Sequence, residues 1–233
     1  KGGAVLQRSG MSKKKIKNIA TAYAFLLPNF IGFLLFTMIP IVCSMGLSFM
    51  EWDSANPMEF VGIENFKRLF SDETFVISLK NTVYYSVFTV PLTMAAALGL
   101  AMLLNQKLKG INIFRTIFFF PHVASLVAVA VVWNLLFHPT LGPVNNILRA
   151  IGIADPPGWT SSIQWAMPVI IIVSIWKSMG YYMILYLSGL QAIPRELYEA
   201  AKVDGANRFE QFKSITLPML TPTTFFVSIM LTI

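Results

Sequence analysis

The side chains best equipped for chemistry are few, and most lie in apolar surroundings. Lys177 sits in SIWKSMGYYMILY, residues 174–186, near the middle of an apolar run covering residues 164–190. A charge that deep in such a run must face a bundle interior or an aqueous cavity rather than lipid. Trp176, Tyr181 and Tyr182 flank it. Their ring faces suit stacking on a sugar ring, and their N–H and O–H groups suit its hydroxyls. Trp176, Lys177, Tyr181 and Tyr182 therefore form a candidate substrate path. The alternative is that Lys177 pairs with a partner subunit and the aromatics only pack; the residues leave both open. His122 and His138 have neither metal spacing nor a nucleophile beside them, and both lie next to prolines near helix ends. Structural roles are expected for them, with no metal site, no cofactor and no catalytic residue. None of the fourteen glycines opens a G-x-x-x-x-G-K-[ST] loop, so the chain carries no nucleotide-binding loop of that kind.

A second patterned segment is polar. Residues 192–218 read AIPRELYEAAKVDGANRFEQFKSITLP. Pro194 suits the first position of a helix, where a missing N–H costs nothing. Glu196 and Glu199 are placed favourably against the helix dipole. Leu197, Ala200, Ala201 and Asp204 share one helical face, and the two alanines allow another surface to approach closely. Gly205 suits the left-handed residue that closes a helix. Asn207 and Glu210 have capping-box spacing for a second helix, on which Phe209 and Phe212 lie one turn apart. The pattern predicts a helix–turn–helix leading into a further span at Pro218. It serves equally as an ordinary interfacial hairpin or as a docking element for another protein.

Positioning these residues requires a membrane. Hydrophobic residues are 55% of the chain and charged residues 12%, against about 25% charged in soluble domains. The mean hydropathy is +0.64. Apolar blocks reach the roughly 20 residues needed to cross a bilayer. Four full spans are expected, at about residues 20–49, 81–104, 116–137 and 164–190, and a fifth begins near Leu217. Prolines at 28, 40, 91, 121 and 168 fall in or near them, which membrane helices tolerate when neighbours satisfy the freed carbonyls. Gly180 and Gly189, with Ser174, Ser178 and Ser188, offer small surfaces for helix contact. Cys43 reads as a small buried hydrophobe.

Charge sets the orientation. Lys13, Lys14, Lys15 and Lys17 lie in the N-terminal segment, and Lys107, Lys109 and Arg115 between spans two and three. Arg195, Lys202, Arg208 and Lys213 follow span four. These segments are assigned to the cytoplasm. The opposite side holds Lys67, Arg68, Lys80 and Arg149 but seven acids: Glu51, Asp53, Glu59, Glu64, Asp72, Glu73 and Asp155. The net charge of +7 is thus a topology signal, and nucleic acid is not an expected partner. Trp52, Trp133, Trp159 and Trp165 fall towards the outer ends of spans, as an interfacial belt does. Residues 144–151 read either as a short amphipathic helix on the outer surface or as an irregular loop. Residues 1–10, ahead of Met11, read as a cloning scar or read-through, residues 11–19 as a cytoplasmic N-terminus, and residues 20–233 as one membrane domain. Because the sequence stops within an apolar run, span five is expected to be cut.

The string Glu199-Ala200-Ala201, Gly205 and Ile215-Thr216-Leu217-Pro218 matches the EAA signature of ABC importer permeases, and the extended form ELYEAAKVDGANRFEQFKSITLPML resembles their carbohydrate-uptake branch. AFLLPNFIGFLLFTMIPI, FRTIFFFPHVAS and LFHPTLGPVNNILRAIG fit the same branch, so the resemblance runs from about Ala20 onward. It implies an all-α polytopic bundle of the type I importer kind that is not an enzyme. The implied partners are a second permease subunit, two cytoplasmic ATP-binding subunits and an extracytoplasmic solute-binding protein. The implied place is a bacterial or archaeal cytoplasmic membrane, in contact with its lipid, with a sugar or related polyol as cargo. Permeases for glycerol phosphate, amino acids or peptides are the alternative within the class. By the resemblance, Glu199, Ala200, Ala201, Asp204 and Gly205 dock on the ATPase, and Ile215, Leu217 and Pro218 anchor the loop to span five. A secondary transporter is the rival outside the class, but duplicated broken helices are not seen in the sequence.

Overall fold

The computed structural model describes residues 13–53, 55–106 and 109–233, with the side chains of residues 13–16 excluded. The readings made for residues 1–10, Met11 and Lys107, and for the side chains of Lys13, Lys14 and Lys15, lie outside these. The described chain is almost wholly helical. Three helices are long and apolar enough to cross a bilayer unaided: Lys17–Leu47, Glu73–Leu104 and Ile163–Gln191. Two bent pairs, Ile111–Val123 with Leu126–Leu136 and Arg208–Met219 with Thr221–Thr232, are apolar and long enough to cross when each pair is taken as one span. The chain divides into two compact units, residues 1–77 and 78–233.

In the first unit, α1 (Lys13–Phe33) passes through a π-helical turn (Leu34–Met38) into α2 (Ile39–Leu47). The turn has a local cause. Pro40 donates no N–H, so the ladder just before it re-registers to the wider spacing. Beyond the span, β1 (Met50–Glu51) and β2 (Glu59–Phe60) pair antiparallel, Met50 opposite Phe60. Helix α3 (Glu64–Ser71) follows. Asn65 Nδ2 donates to the carbonyls of Ser48 and Met50 at 3.1 and 2.9 Å, tying α3 to the end of the span. Asp53 closes the hairpin by accepting from the N–H groups of Asn56 and Ala55. Those bonds, the Asn56 backbone N–H first, hold its carboxyl below the usual aspartate range. Two of the four cations assigned by the charge rule to the outer side are paired here: Arg68 with Glu51 at 3.0 Å and Lys67 with Glu64 at 3.3 Å.

The second unit carries the core. Helix α4 (Glu73–Leu104) buries Thr89, Thr93, Ala97, Ala101 and Leu104, small side chains for the most part, spaced about four apart. That stripe lets other helices approach closely. Ala97, Ala101 and Leu104 join Tyr182, Met183, Tyr186, Leu187 and Leu190 of α8 (Ile163–Gln191), with Leu220 and Val227, in one buried cluster. Span three departs from expectation. Instead of one helix over residues 116–137 there are two, α5 (Ile111–Val123) and α6 (Leu126–Leu136), bent by 98° at Ala124–Ser125. Together they still run the length of α8. Arg115 shares a cleft with Leu190 at one end of α8, and Phe137 meets Trp159 just ahead of its other end. Helix α7 (Pro143–Ala150) settles the open reading of residues 144–151 in favour of a helix.

Beyond α8 come α9 (Arg195–Val203), α10 (Arg208–Gln211), a π-helical turn (Phe212–Thr216), α11 (Leu217–Met219) and α12 (Thr221–Thr232). This second π turn again lies just before a proline, Pro218. Span five proper is bent away at Leu220 by 65°.

Gly180 is where α5 and α8 touch. A Cβ there would fall on the carbonyl group of Phe118. Gly189 makes the matching close approach to Leu220 and Thr223, whereas Ser188 stays exposed. Because backbone cannot give way as a side-chain tip can, Gly180→Val should cost about 1–3 kcal/mol or more through overpacking. Thermal unfolding of the purified protein in detergent should drop by several degrees, and Ser188→Val should leave it unchanged.

Candidate functional site

The break in span three is built around one cation. Helix α5 ends at Val123, which leaves its last carbonyls without intrahelical partners. Pro121 adds to the loss by lacking an N–H. Lys177, projecting from the middle of α8, supplies the donors. Its Nζ donates to the carbonyl oxygens of Ala124 at 2.9 Å, His122 at 3.1 Å and Pro121 at 3.3 Å. An ammonium has three N–H groups, so each carbonyl has one available to it. The charge also lies at the negative end of the α5 dipole. Lys177 is thus committed to backbone of its own chain. Neither sequence reading of Lys177, as a substrate-path residue or as a partner-subunit ion, anticipates this rim of carbonyls.

Around that rim the aromatic side chains form two groups. Tyr181 stacks on His122, centroids 4.7 Å apart and planes within 14°. Tyr182 is buried at 8% exposure, and its hydroxyl donates to the Met230 carbonyl at 3.2 Å. Its ring therefore packs α8 against α12 and does not present an open face, a correction that follows from helical phase: Met183 and Tyr186 lie on the same buried side. Trp176 takes the other direction, with its ring edge-to-face with Trp133 at 5.3 Å. Trp133 stacks on Phe137, Phe137 meets Trp159, and Trp159 meets Trp165, at centroid distances of 5.2, 4.9 and 5.5 Å. A continuous aromatic row thus leads from the ends of α6 and α8 to the neighbour of Lys177.

The row is fixed by a residue that the pattern of types did not single out. Asn145 of α7 is 1% exposed and fully bonded. Its Nδ2 donates to the carbonyls of Pro139 and Pro157 at 2.8 and 3.1 Å, and its Oδ1 accepts from the indole N–H of Trp159. Trp159 has φ +46, the one left-handed non-glycine among the described residues. A bulky residue holds that conformation only where surroundings impose it. The nearby Asn-Asn pair in a short amphipathic segment was the available signal, and burial alone distinguishes Asn145 from exposed Asn146. His138 serves this loop too: its Nδ1 accepts from the N–H of Leu141 at 3.2 Å.

Residues 192–218 fold as a capped helical hairpin. Pro194 occupies the N-cap, one position ahead of the expected first helical turn. At the other end of α9 the N–H of Gly205 donates to Lys202 O and that of Ala206 to Ala201 O, at 3.1 and 2.8 Å. These are the paired bonds of a Schellman closure, and Gly205 supplies the left-handed residue at φ +82. Asn207 then caps α10. Its Oδ1 accepts from the N–H groups of Phe209 and Glu210 at 2.9 and 3.0 Å, while Glu210 accepts from the Asn207 N–H at 2.7 Å. Tyr198 and Thr216 join hydroxyls across the hairpin at 2.9 Å.

The face of α9 carrying Leu197, Glu199, Ala200 and Asp204 is exposed, with Ala201 half-buried. Val203 and Phe209 are exposed apolar residues at 88% and 71%. The expected anchors are partly replaced. Ile215 packs against the core, but Leu217 and Pro218 are exposed, and the buried positions are Thr216 and Leu220, one turn apart on the inward side.

The family model for the inner membrane component of binding-protein-dependent transport systems matches residues 90–233. That stretch includes the broken span, α8 and the whole capped hairpin. The chain belongs to this permease family. It is 41% identical over 233 residues to the probable ABC transporter permease protein YesP of Bacillus subtilis (strain 168), covering 99% of this chain and 74% of that protein. It is 40% identical over 213 residues to the lactose transport system permease protein LacF of Rhizobium radiobacter, covering 91% and 71%. A crystal structure of a bacterial alginate ABC transporter, in complex with an alginate pentasaccharide-bound periplasmic protein, matches with TM-score 0.79 and 32% identity over 94% of this chain and 73% of that one. The permease is therefore an all-α integral membrane protein of a transporter family, as its residues led one to expect.

Removing the Lys177 ammonium strands three carbonyls of the permease, at about 1–3 kcal/mol for each left without a donor. Lys177→Met should lower the unfolding temperature in detergent and speed amide exchange across residues 121–125. Lys177→Arg, which keeps several donors, should recover most of the loss.

Proposed function

We propose that this permease forms one half of the translocation path of an ATP-driven sugar importer. It works with a second permease subunit, and two cytoplasmic ATP-binding subunits act on its 192–218 hairpin. A solute-binding protein delivers cargo from outside. The N-terminus lies in the cytoplasm by the charge rule, and the hairpin lies on that side too. Support for a sugar comes from LacF and the alginate transporter, relatives whose cargoes are carbohydrates, and from the aromatic row ending at Trp176, since ring faces suit sugar faces. In this reading Trp176 and Tyr181 touch the cargo, and Lys177 shapes the passage by holding the broken span.

One observation carries the coupling part of the proposal: a rigidly capped hairpin whose outward face, from Leu197 to Asp204, is left uncovered by the chain's own packing. Both ends of the connection are closed by backbone and Asn207 bonds, so a push on α9 is passed to Thr216 and span five instead of being lost in a loose loop. Glu199, Ala200, Ala201, Asp204 and Gly205 contact the ATPase. Ile215 seats the hairpin on the core, and Leu217 and Pro218 carry the chain from the π turn into span five.

The test uses the assembled importer in vesicles. Glu199→Lys should leave insertion and subunit assembly intact while ATP hydrolysis no longer drives uptake. Gly205→Ala acts through backbone alone, because no atom lies within 4 Å of the added Cβ. Its left-handed position should cost about 1–2 kcal/mol, close to tenfold in the population of the closed cap and in coupled uptake. Normal sugar uptake by both variants would overturn the coupling assignment.

A further inference from the structure

A polar cleft of about 490 Å³ opens between the ends of α4 and α8 and the start of α9. Asn105, Gln106, Arg115, Gln191, Arg195 and Tyr198 line it, over an apolar floor of Leu190 and Ile193. Among the described residues no acidic side chain lines it. Arg115 donates from one Nη to the Leu104 carbonyl at 3.0 Å, and its Nε–H is sealed from solvent without a partner among the described residues. Arg195 makes no ion pair among the described residues. Two guanidinium groups therefore share one concavity with amide donors and, among its described lining residues, no carboxylate. Their planar N–H forks can each take a pair of oxygens of a tetrahedral phosphate group.

The depth of the cleft favours a lipid as the source of that phosphate. It is lined by residues at or just past the ends of two membrane-long helices of 32 and 29 residues. Helices of this length span about 45 Å, the hydrocarbon core together with both headgroup layers. Leu103, Ile113 and Phe114, which adjoin the cleft residues in sequence, expose apolar side chains at 61%, 65% and 54%, as acyl-chain contact requires. Basic pockets between spans on the cytoplasmic side are sites for anionic headgroups. The cleft meets α9 at Arg195 and Tyr198, whereas Leu197, Glu199 and Ala200 do not line it.

We propose that this cleft binds the phosphate of an anionic phospholipid headgroup, which bridges Arg115 and Arg195 and so fixes the start of α9 against the ends of α4 and α8. The inference rests on the cytoplasmic placement of the hairpin. Because Arg195 is the first residue of α9, a bound headgroup would steady the coupling helix, and coupled ATP hydrolysis would depend on anionic lipid.

The probe is phosphatidylglycerol mixed into phosphatidylcholine nanodiscs holding the assembled importer, with retained lipid counted by native mass spectrometry and ATP hydrolysis measured alongside. Arg195→Gln, whose side chain makes no bond within the chain's described residues, should reduce phosphatidylglycerol retention about fivefold. It should also abolish the stimulation of hydrolysis by that lipid. Arg115→Gln should weaken retention as well, with an added stability loss from the Leu104 contact. Glu199→Lys should retain the lipid while losing coupling, so a failure of the lipid site and a failure of the coupling reading are told apart. Equal retention by wild type and Arg195→Gln would overturn the proposal. So would undiminished lipid retention with loss of the ATP-binding subunits on purification, which would assign the cleft to a protein interface. Binding of inorganic phosphate with no preference for the anionic lipid would overturn the lipid source.

Discussion

A helix that stops inside a membrane leaves carbonyl groups that no water can satisfy, and the architecture of residues 78–233 turns on how that deficit is met. The Lys177 ammonium meets it at Pro121, His122 and Ala124. The exchange is mutual. An isolated ammonium at that depth is costly, and orphan carbonyls there are costly too; each removes the other's penalty. From that joint follow the 98° bend of span three, the stacking of His122 on Tyr181, and the redirection of α6 that brings Trp133 to Trp176.

The hairpin of residues 192–218 solves the opposite problem. It lies outside the apolar blocks, where water competes for every backbone group, and it gains its order from local bonds alone. The Schellman closure at Gly205 and the capping box at Asn207 need no tertiary partner. Ile193, Tyr198, Ile215 and Thr216 tie it inward. Local rigidity with a light attachment suits an element that must hold its shape while being moved.

How much of this the sequence disclosed follows the range of the interactions. Capping at Gly205 and Asn207, the amphipathic α7, and the small-residue contacts at Gly180 and Gly189 were legible because each depends on residues a few positions apart or on one side chain's size. The break in span three was not legible, since Thr116 to Phe137 holds no Asp, Glu, Lys or Arg and Pro121 alone does not distinguish a kink from a right-angle turn. What decides it is Lys177, more than fifty residues downstream. The bond between Asn145 and Trp159 escaped notice for the same reason, as did the inward turn of Tyr182. The signature residues Leu217 and Pro218, named as anchors by resemblance, are exposed in this chain, while Thr216 and Leu220 are buried.

The contact at Gly180 bears on motion. With no side chain between them, the backbones of α5 and α8 meet directly at Phe118 and Phe119. Neither can rotate or slide without collision, since closely packed interiors deform little. Through any transport cycle these two helices must travel as a single strut. The flexing has to be taken up where regular helix is interrupted, at Ala124–Ser125 and at Leu220, so that one cation-filled corner and one helix bend become the joints about which the passage opens.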